Sequence, residues 1–303
     1  LWYQKTINTM TKIWFITGSS RGLGRNLTEA VLAKGDKVAA TARQPQQLDD
    51  LVKKYPGQIL PLQLDVTKNN EIVNAVEQAV NHFGRIDVLI NNAGVGIVGA
   101  TEAFTDEQVR SQLDTNLYAV IDITRVVLPY MRKQRSGRIL QISSIGGRVG
   151  NPGLATYQAA KFGVSGFTEV LAKEVAPLGI KVTSIEPGGF RTDWAGASMT
   201  YAPTIEGYEE TVDKRVAYFK SGAFVPVGDP VKAAQVMVNL ADHPEPPVHL
   251  VLGSEAAGIL KGADEARKAE FEKWLPVTLS TDHDSAVDFS KTSYGKELLG
   301  QKG

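Results

Sequence analysis

Tyr157 and Lys161 stand four residues apart in the run Tyr-Gln-Ala-Ala-Lys, a spacing that places both side chains on one face of a helix. A phenol with a pKa near ~10 is a poor base at neutral pH. A unit positive charge about 4 Å away, at an effective dielectric of about 20, contributes roughly 4 kcal/mol. A charge so placed would draw the phenol to about pH 7, where it exchanges protons readily. Such a pair is common on helices, and alone it reads as structural. Ser144 changes that reading. It follows a strand-like run at 138–143, where a hydroxyl can hydrogen-bond a substrate oxygen as charge develops on it. Ser143 is the rival, and strand alternation points it the other way.

A second group of residues suits a dinucleotide. Thr17-Gly18-Ser19-Ser20-Arg21-Gly22-Leu23-Gly24 lies between a strand-like and a helix-like run. Glycines there permit a tight turn and a close approach of backbone amides to a pyrophosphate, which the helix N-terminus stabilises. Gly18, Ser20, Arg21, Gly22, Leu23 and Gly24 are therefore cofactor-binding candidates, against the plainer reading of a Gly-rich turn. At the end of the second strand an NAD-selective site places a carboxylate for the ribose hydroxyl. Here Ala42 is followed by Arg43, whose planar fork, with Arg21, suits a 2′-phosphate. The plainer alternative is two solvated arginines. Asp65-Val66 would hold the adenine or, alone, cap a helix. Asn92, Ala93 and Gly94 close the run Asn91-Asn92-Ala93-Gly94 at a strand end, as a ligand edge or as a structural turn.

The elements that must position these groups alternate regularly. Strands are expected at 12–17, 37–41, 59–63, 86–90, 138–143, 181–185 and 248–252. Helices are expected at 22–34, 45–55, 71–83, 105–135 with a break near Thr115, 155–176, 230–241 and 263–275. Short apolar strands separated by helices mean βαβ units, so the expected fold is α/β, a doubly wound parallel sheet of Rossmann type. One domain over 12–303 is expected, with 1–11 as an N-terminal arm or expression remnant and Met10 as the natural start. The segment 190–227 reads as a substrate lid. An extension from about 254 to 303 reads as helical to 275 and mostly irregular beyond Pro276.

Taken in order, these motifs resemble the short, single-domain branch of the short-chain dehydrogenase/reductase family over roughly 12–252. The resemblance rests on Thr-Gly-x-x-x-Gly-x-Gly at 17–24, Asn-Asn-Ala-Gly at 91–94, Asn116, Ser144, Tyr-x-x-x-Lys at 157–161 and Pro187-Gly188. It implies an NADP(H)-dependent enzyme that interconverts a carbonyl and an alcohol. Tyr157 would be the general acid/base and Ser144 would orient the carbonyl. Lys161 would hold the nicotinamide ribose and depress the tyrosine, and Asn116 would place a proton-relaying water. Pro187, Gly188 and Thr192 would border the nicotinamide, Thr192 at looser spacing. The run 41–48 is similar to NADP-preferring members. The extension is similar to larger members that act on bulky carbonyls.

Composition bounds the rest. The chain has 33 Lys plus Arg against 33 Asp plus Glu and no cysteine, which excludes disulfides and thiolate chemistry. It offers no electrostatic case for nucleic acid or anionic membrane. No metal site is expected. No apolar run is long enough to span a bilayer, and the expected location is cytoplasmic. Trp194, Met199, Tyr201, Tyr208, Tyr218, Phe219 and Phe224 in the lid suggest a hydrophobic or aromatic substrate, or simply pack the segment down. Arg191, Lys214 and Arg215 leave a charged substrate open. The long helices at 114–135 and 155–176 are similar to those that pair across a two-fold axis in related proteins, and the resemblance implies a homodimer or homotetramer. Two rival readings are a non-catalytic NADP sensor and a nucleotide-sugar epimerase or dehydratase. The first is opposed by the joint presence of Asn116, Ser144, Tyr157 and Lys161. The second is opposed by the glycine spacing and the lack of a larger C-terminal domain.

Overall fold

The first strand, β1 (Ile13–Ile16), is buried along its whole length, which fits a central strand covered on both sides. Its side chains alternate: Trp14 and Ile16 enter one apolar cluster, while Phe15 enters the other. The strands that follow are β2 (Lys37–Ala42), β3 (Ile59–Gln63), β4 (Val88–Asn91), β5 (Gly96–Val98), β6 (Gly137–Ile142), β7 (Ile180–Pro187), β8 (Met199–Tyr201) and β9 (His249–Leu252). Seven of them form one sheet in the order β3-β2-β1-β4-β6-β7-β9, and every pairing is parallel. The fold is the expected doubly wound sheet. The computed structural model describes residues 11–192, 194 and 199–300. The arm or remnant expected at 1–11 thus lies outside the described residues except for Thr11, as do 193 and 195–198 of the lid.

Helices cover both faces. One cluster joins Trp14 and Ile16 to Leu27 and Val31 of α1 (Gly22–Ala33) and to Met237 of α8 (Pro230–Leu240). The other joins Phe15 and Leu89 to Val76 of α3 (Asn69–Phe83), Ile123 of α5 (Ala119–Gln134) and Leu171 of α6 (Ala155–Val175). The remaining helix of the first half, α2 (Asp49–Lys54), follows a 3₁₀ turn, so the helix expected at 45–55 is split between two geometries.

Three expectations are corrected. The helix expected to break near Thr115 widens instead. After α4 (Asp106–Leu113), started by a Thr105–Gln108 capping box, Asp114–Tyr118 is π-helical and leads directly into α5. π-Turns of this kind favour functional sites. The lid is not a featureless loop. It contains β8, which pairs with β5 in a two-stranded sheet, then a π-turn and α7 (Lys214–Lys220). The helix expected at 263–275 is α9 (Ser254–Leu279), which begins nine residues earlier and passes through Pro276. Gly258 and Gly262 each cost a helix about 1 kcal/mol relative to alanine, which is why the sequence reading starts beyond them. The tertiary anchor is Ala256, fully buried against Gly188.

The chain falls into two compact units, one up to Leu260 and one from Lys261 onward. In the second, the stretch beyond Pro276 is more regular than expected, with a 3₁₀ turn at Phe289–Lys291 and α10 (Ser293–Leu298). No helix among the described residues is long and apolar enough to cross a membrane.

Candidate active site

The loops after β1, β4, β6 and β7 all leave the C-terminal edge of the sheet, and they meet where the strand order reverses between β1 and β4. Ligands bind at such switch points. The glycine loop is braced there by groups from two strand ends. Thr17 Oγ1 accepts hydrogen bonds from the amides of Asn92 (2.9 Å) and Ala93 (3.0 Å). Asn92 Nδ2 donates to the carbonyls of Thr17 (2.9 Å) and Gly18 (3.2 Å). Gly18 turns with φ of 68°, a conformation that L-residues with side chains adopt at a cost. A Cβ at Gly24 would lie 2.3 Å from the Gly18 carbonyl oxygen, so this position packs the helix against its own loop. Thr17 was not singled out in the sequence. Its signal is a hydroxyl at the last strand position before the first glycine. Asn91 turns inward, donating to Gln141 (2.7 Å) and Thr124 (3.0 Å).

These loops border one cleft of about 880 Å³. Gly18, Ser20, Arg21, Gly22 and Leu23 line it from the glycine loop, and Arg43 from the end of β2. Asp65 and Val66 line it after β3, as do Asn92, Ala93 and Gly94 after β4, and Pro187, Gly188 and Thr192 after β7. Gly24 lies beneath the lining. Arg21 and Arg43 are both exposed, whereas Ala42 is buried, so two guanidinium groups border this end of the cleft. Asp65 Oδ1 accepts from the Thr67 amide (3.0 Å) and hydroxyl (2.7 Å). Burial works to raise its pKa, but the Thr67 hydrogen bonds and nearby cations outweigh it and hold the carboxyl below its ordinary value. It braces a turn before α3 rather than capping the helix. Thr192 sits over the loop, its Cβ 3.7 Å from where a Cβ on Gly22 would be.

At the other end, Ser144, Tyr157 and Lys161 line the same cleft. Ser144 starts a 3₁₀ turn, its Oγ accepting from the Gly146 amide at 3.0 Å, and its side chain hydrogen-bonds Tyr157. Ser143 Oγ points into the core, donating to the Lys161 carbonyl (3.0 Å) and pairing with Ser165 Oγ (2.9 Å). Burial pushes the Tyr157 hydroxyl up to about 12, partly offset by Ser144. Burial likewise brings the Lys161 ammonium down to about 8. Both shifts oppose the sequence expectation of a phenol drawn toward pH 7. The reason is burial. Lys161 Nζ donates to the Ile142 carbonyl at 2.8 Å and lies 5.7 Å from the Tyr157 ring centre. Desolvation of both groups outweighs their attraction.

Asn116 does not line the cleft. Its side chain is fully buried and spent on one residue: Nδ2 donates to the Val95 carbonyl (2.7 Å) and Oδ1 accepts from the Val95 amide (2.9 Å). It fastens the chain after Gly94 to the π-turn. Behind α6, Glu186 is fully buried. Its carboxylate accepts from Arg148 (3.2 Å), Ser184 (3.1 Å) and Ser165 (3.4 Å) and meets His249 Nδ1 at 2.7 Å. It ties the Ser144 loop to β7, α6 and β9. Sequence reasoning passed over this carboxylate, because apart from Ser184 its partners lie 21 to 63 residues away.

The lid divides in two. Trp194, Tyr218, Phe219 and Phe224 line the cleft, and the Trp194 ring centre is 5.3 Å from that of Tyr157. Met199 is buried with Val98 and Leu154, and Tyr201 and Tyr208 pack on that cluster; these three hold the lid down.

The sequence profile of the short chain dehydrogenase family matches residues 12–201. The chain belongs to the short-chain dehydrogenase/reductase family. Oxidoreductase BOA17 of Botryotinia fuckeliana is 46% identical over 273 residues, 90% of this chain and 100% of that protein. A crystal structure of a short-chain dehydrogenase from Streptomyces avermitilis superposes with a TM-score of 0.86 at 37% identity, covering 90% of this chain and 100% of that one. A second, from Burkholderia cenocepacia, is in complex with NADP, with a TM-score of 0.69 at 25% identity over 88% and 98% of the two chains. This chain is thus a dehydrogenase/reductase of carbonyl and alcohol substrates. Within this family member, the glycine loop and the Ser144–Tyr157–Lys161 group occupy two ends of one cleft.

Proposed function

We propose that the protein is an NADP(H)-dependent reductase/dehydrogenase that interconverts a hydrophobic or aromatic carbonyl compound and its alcohol, with Tyr157 as general acid/base. The observation that carries this reading is the continuity of a single cleft from the glycine loop to Ser144, Tyr157 and Lys161. The residues fit the dinucleotide. Gly18 and Gly22 line the cleft with no side chain between their backbone and a pyrophosphate at the start of α1, and Arg21 and Arg43 offer two cations for a 2′-phosphate.

Bound there, the cofactor supplies or accepts the hydride. Ser144 orients the substrate oxygen by hydrogen bonding. Tyr157 donates its proton to that oxygen during reduction and takes it back during oxidation. Its raised pKa suits the acid role, because the hydroxyl stays protonated at neutral pH. Lys161 holds the ribose and supplies positive charge beside the phenol. Asn116 fixes the Val95 backbone that bounds this end of the cleft. Trp194, Phe219 and Phe224 exclude water from the reacting atoms. Exposed Phe162 and Val170, each about one turn of α6 from an open Gly166, form an apolar stripe suited to a second copy of the chain, supporting a homodimer or homotetramer.

The test is a fluorescence titration with NADPH and NADH alongside turnover of aryl ketones by wild type and Tyr157→Phe. NADPH is expected to bind more tightly than NADH. The variant should keep NADPH binding and lose roughly 10²- to 10⁴-fold in kcat. Normal turnover by the variant would remove Tyr157 from the chemistry, and equal affinity for NADH would overturn the NADP assignment.

A further inference from the structure

The substrate end of the cleft carries three charged side chains from the lid: Glu210, Lys214 and Arg215. Glu210 and Lys214 satisfy each other as an ion pair one helical turn apart. Of the other lid cations, Arg191 is exposed and donates to the Pro226 carbonyl at 3.0 Å, and Lys220 lies over the Tyr201 ring, 4.6 Å from its centre. Arg215 is different. It is half-buried, and its Nη2 donates to Asn151 Oδ1 at 3.1 Å. No carboxylate lies within ion-pair reach of it among the described residues, and burial pulls its pKa down without an opposing charge. A desolvated cation facing only a neutral amide is held at a cost.

The orientation of that amide is informative. Asn151 spends its side-chain oxygen on Arg215, and its own main-chain amide donates to Gln158 Oε1 at 2.6 Å, next to Tyr157. Its side-chain nitrogen has no acceptor among the described residues. Arg215 from α7 and Asn151 from the loop that follows Ser144 therefore bring unspent N–H groups together at the lining of the cleft. Unspent donors from a guanidinium and an amide match the two oxygens of a carboxylate.

We propose that Arg215 and Asn151 form a carboxylate-binding subsite, and that the substrate is a hydrophobic oxo acid whose carboxylate anchors there while its carbonyl meets Tyr157. This rests on the reductase reading above and adds the substrate class to it. The apolar side chains of Leu154 and Phe219 line the same end of the cleft, leaving the body of the molecule hydrophobic.

The experiment uses a series of aryl oxo acids with one to four carbons between carbonyl and carboxylate, each beside its methyl ester. Binding is measured first by calorimetry, without turnover, on wild type, Arg215→Met and the exposed control Arg191→Met. At least one acid is expected to bind on the order of ten- to a hundredfold more tightly than its ester. That preference should collapse to about one in Arg215→Met, return in part in Arg215→Lys, and persist in Arg191→Met. Equal binding of every acid and ester by wild type overturns the subsite, as does a preference that survives in Arg215→Met. Turnover with NADPH is then read on the same pairs. Reduction of esters and acids alike, with no binding preference, rejects the subsite and leaves the reductase standing. An Arg215-dependent preference without any reduction supports the subsite and rejects the reductase reading.

Discussion

Lys161 and Tyr157 illustrate how burial reverses a pairwise electrostatic argument. In water-like surroundings the ammonium would lower the phenol, yet in this cleft desolvation acts on both groups, bringing Lys161 to about 8 and Tyr157 to about 12. The direction has a kinetic consequence. In the proposed reaction, reduction needs a proton on Tyr157 and charge on Lys161, and both are present below about pH 8. As pH rises, the folded lysine loses its proton well before an ordinary lysine near 10.5 would, while the tyrosine keeps its own. We expect kcat/KM for ketone reduction to be flat near neutrality and to fall with one ionisation near 8. In Lys161→Arg, where the guanidinium keeps its charge, whatever activity remains should decline only at much higher pH. A wild-type profile flat to pH 10 would refute the assignment.

Among the elements, the loop that carries Ser144 is the one whose placement depends most on remote partners. Glu186, at the end of β7, holds Arg148 of that loop together with Ser165 on α6 and His249 on β9. A fully buried carboxylate persists only when it is paired and hydrogen-bonded. Glu186→Gln keeps the shape and removes the charge, weakening the charge-assisted bonds. It should lower unfolding stability by about 1–3 kcal/mol, read as a drop in urea midpoint at unchanged slope. An unaltered midpoint would show that the network adds nothing to stability. The π-turn at Asp114–Tyr118 is a second such element. The amphipathic pattern of 105–135 was legible, but the widening was not, because it answers to the contact between Asn116 and Val95, which pattern reasoning along one helix does not see.

For the molecule as a whole, the exposed Phe162 and Val170 on α6, 45% and 56% accessible, mark the face proposed to meet a second copy. Wild-type protein should sediment as a dimer or tetramer at micromolar concentration. Phe162→Glu combined with Val170→Glu should shift it to monomer, since two buried like charges oppose a symmetric contact. A monomeric wild type would reject this face.

Local chemistry and periodicity were enough to determine the parallel sheet, the order of its helices and the family. Strand and helix periods depend on neighbouring residues, and Gly18, Gly24, Ser144, Tyr157 and Lys161 keep a spacing that is itself the motif. Tertiary structure alone decided how those residues behave. It fastened Asn116 to Val95, started α9 at Ser254 in spite of its glycines, and gave the lid a strand and a helix. It also selected Arg215 from three candidate cations, by placing Lys214 with Glu210 and Arg191 against a carbonyl. Burial and long-range partners set these outcomes, and neither is a property of any short stretch of chain.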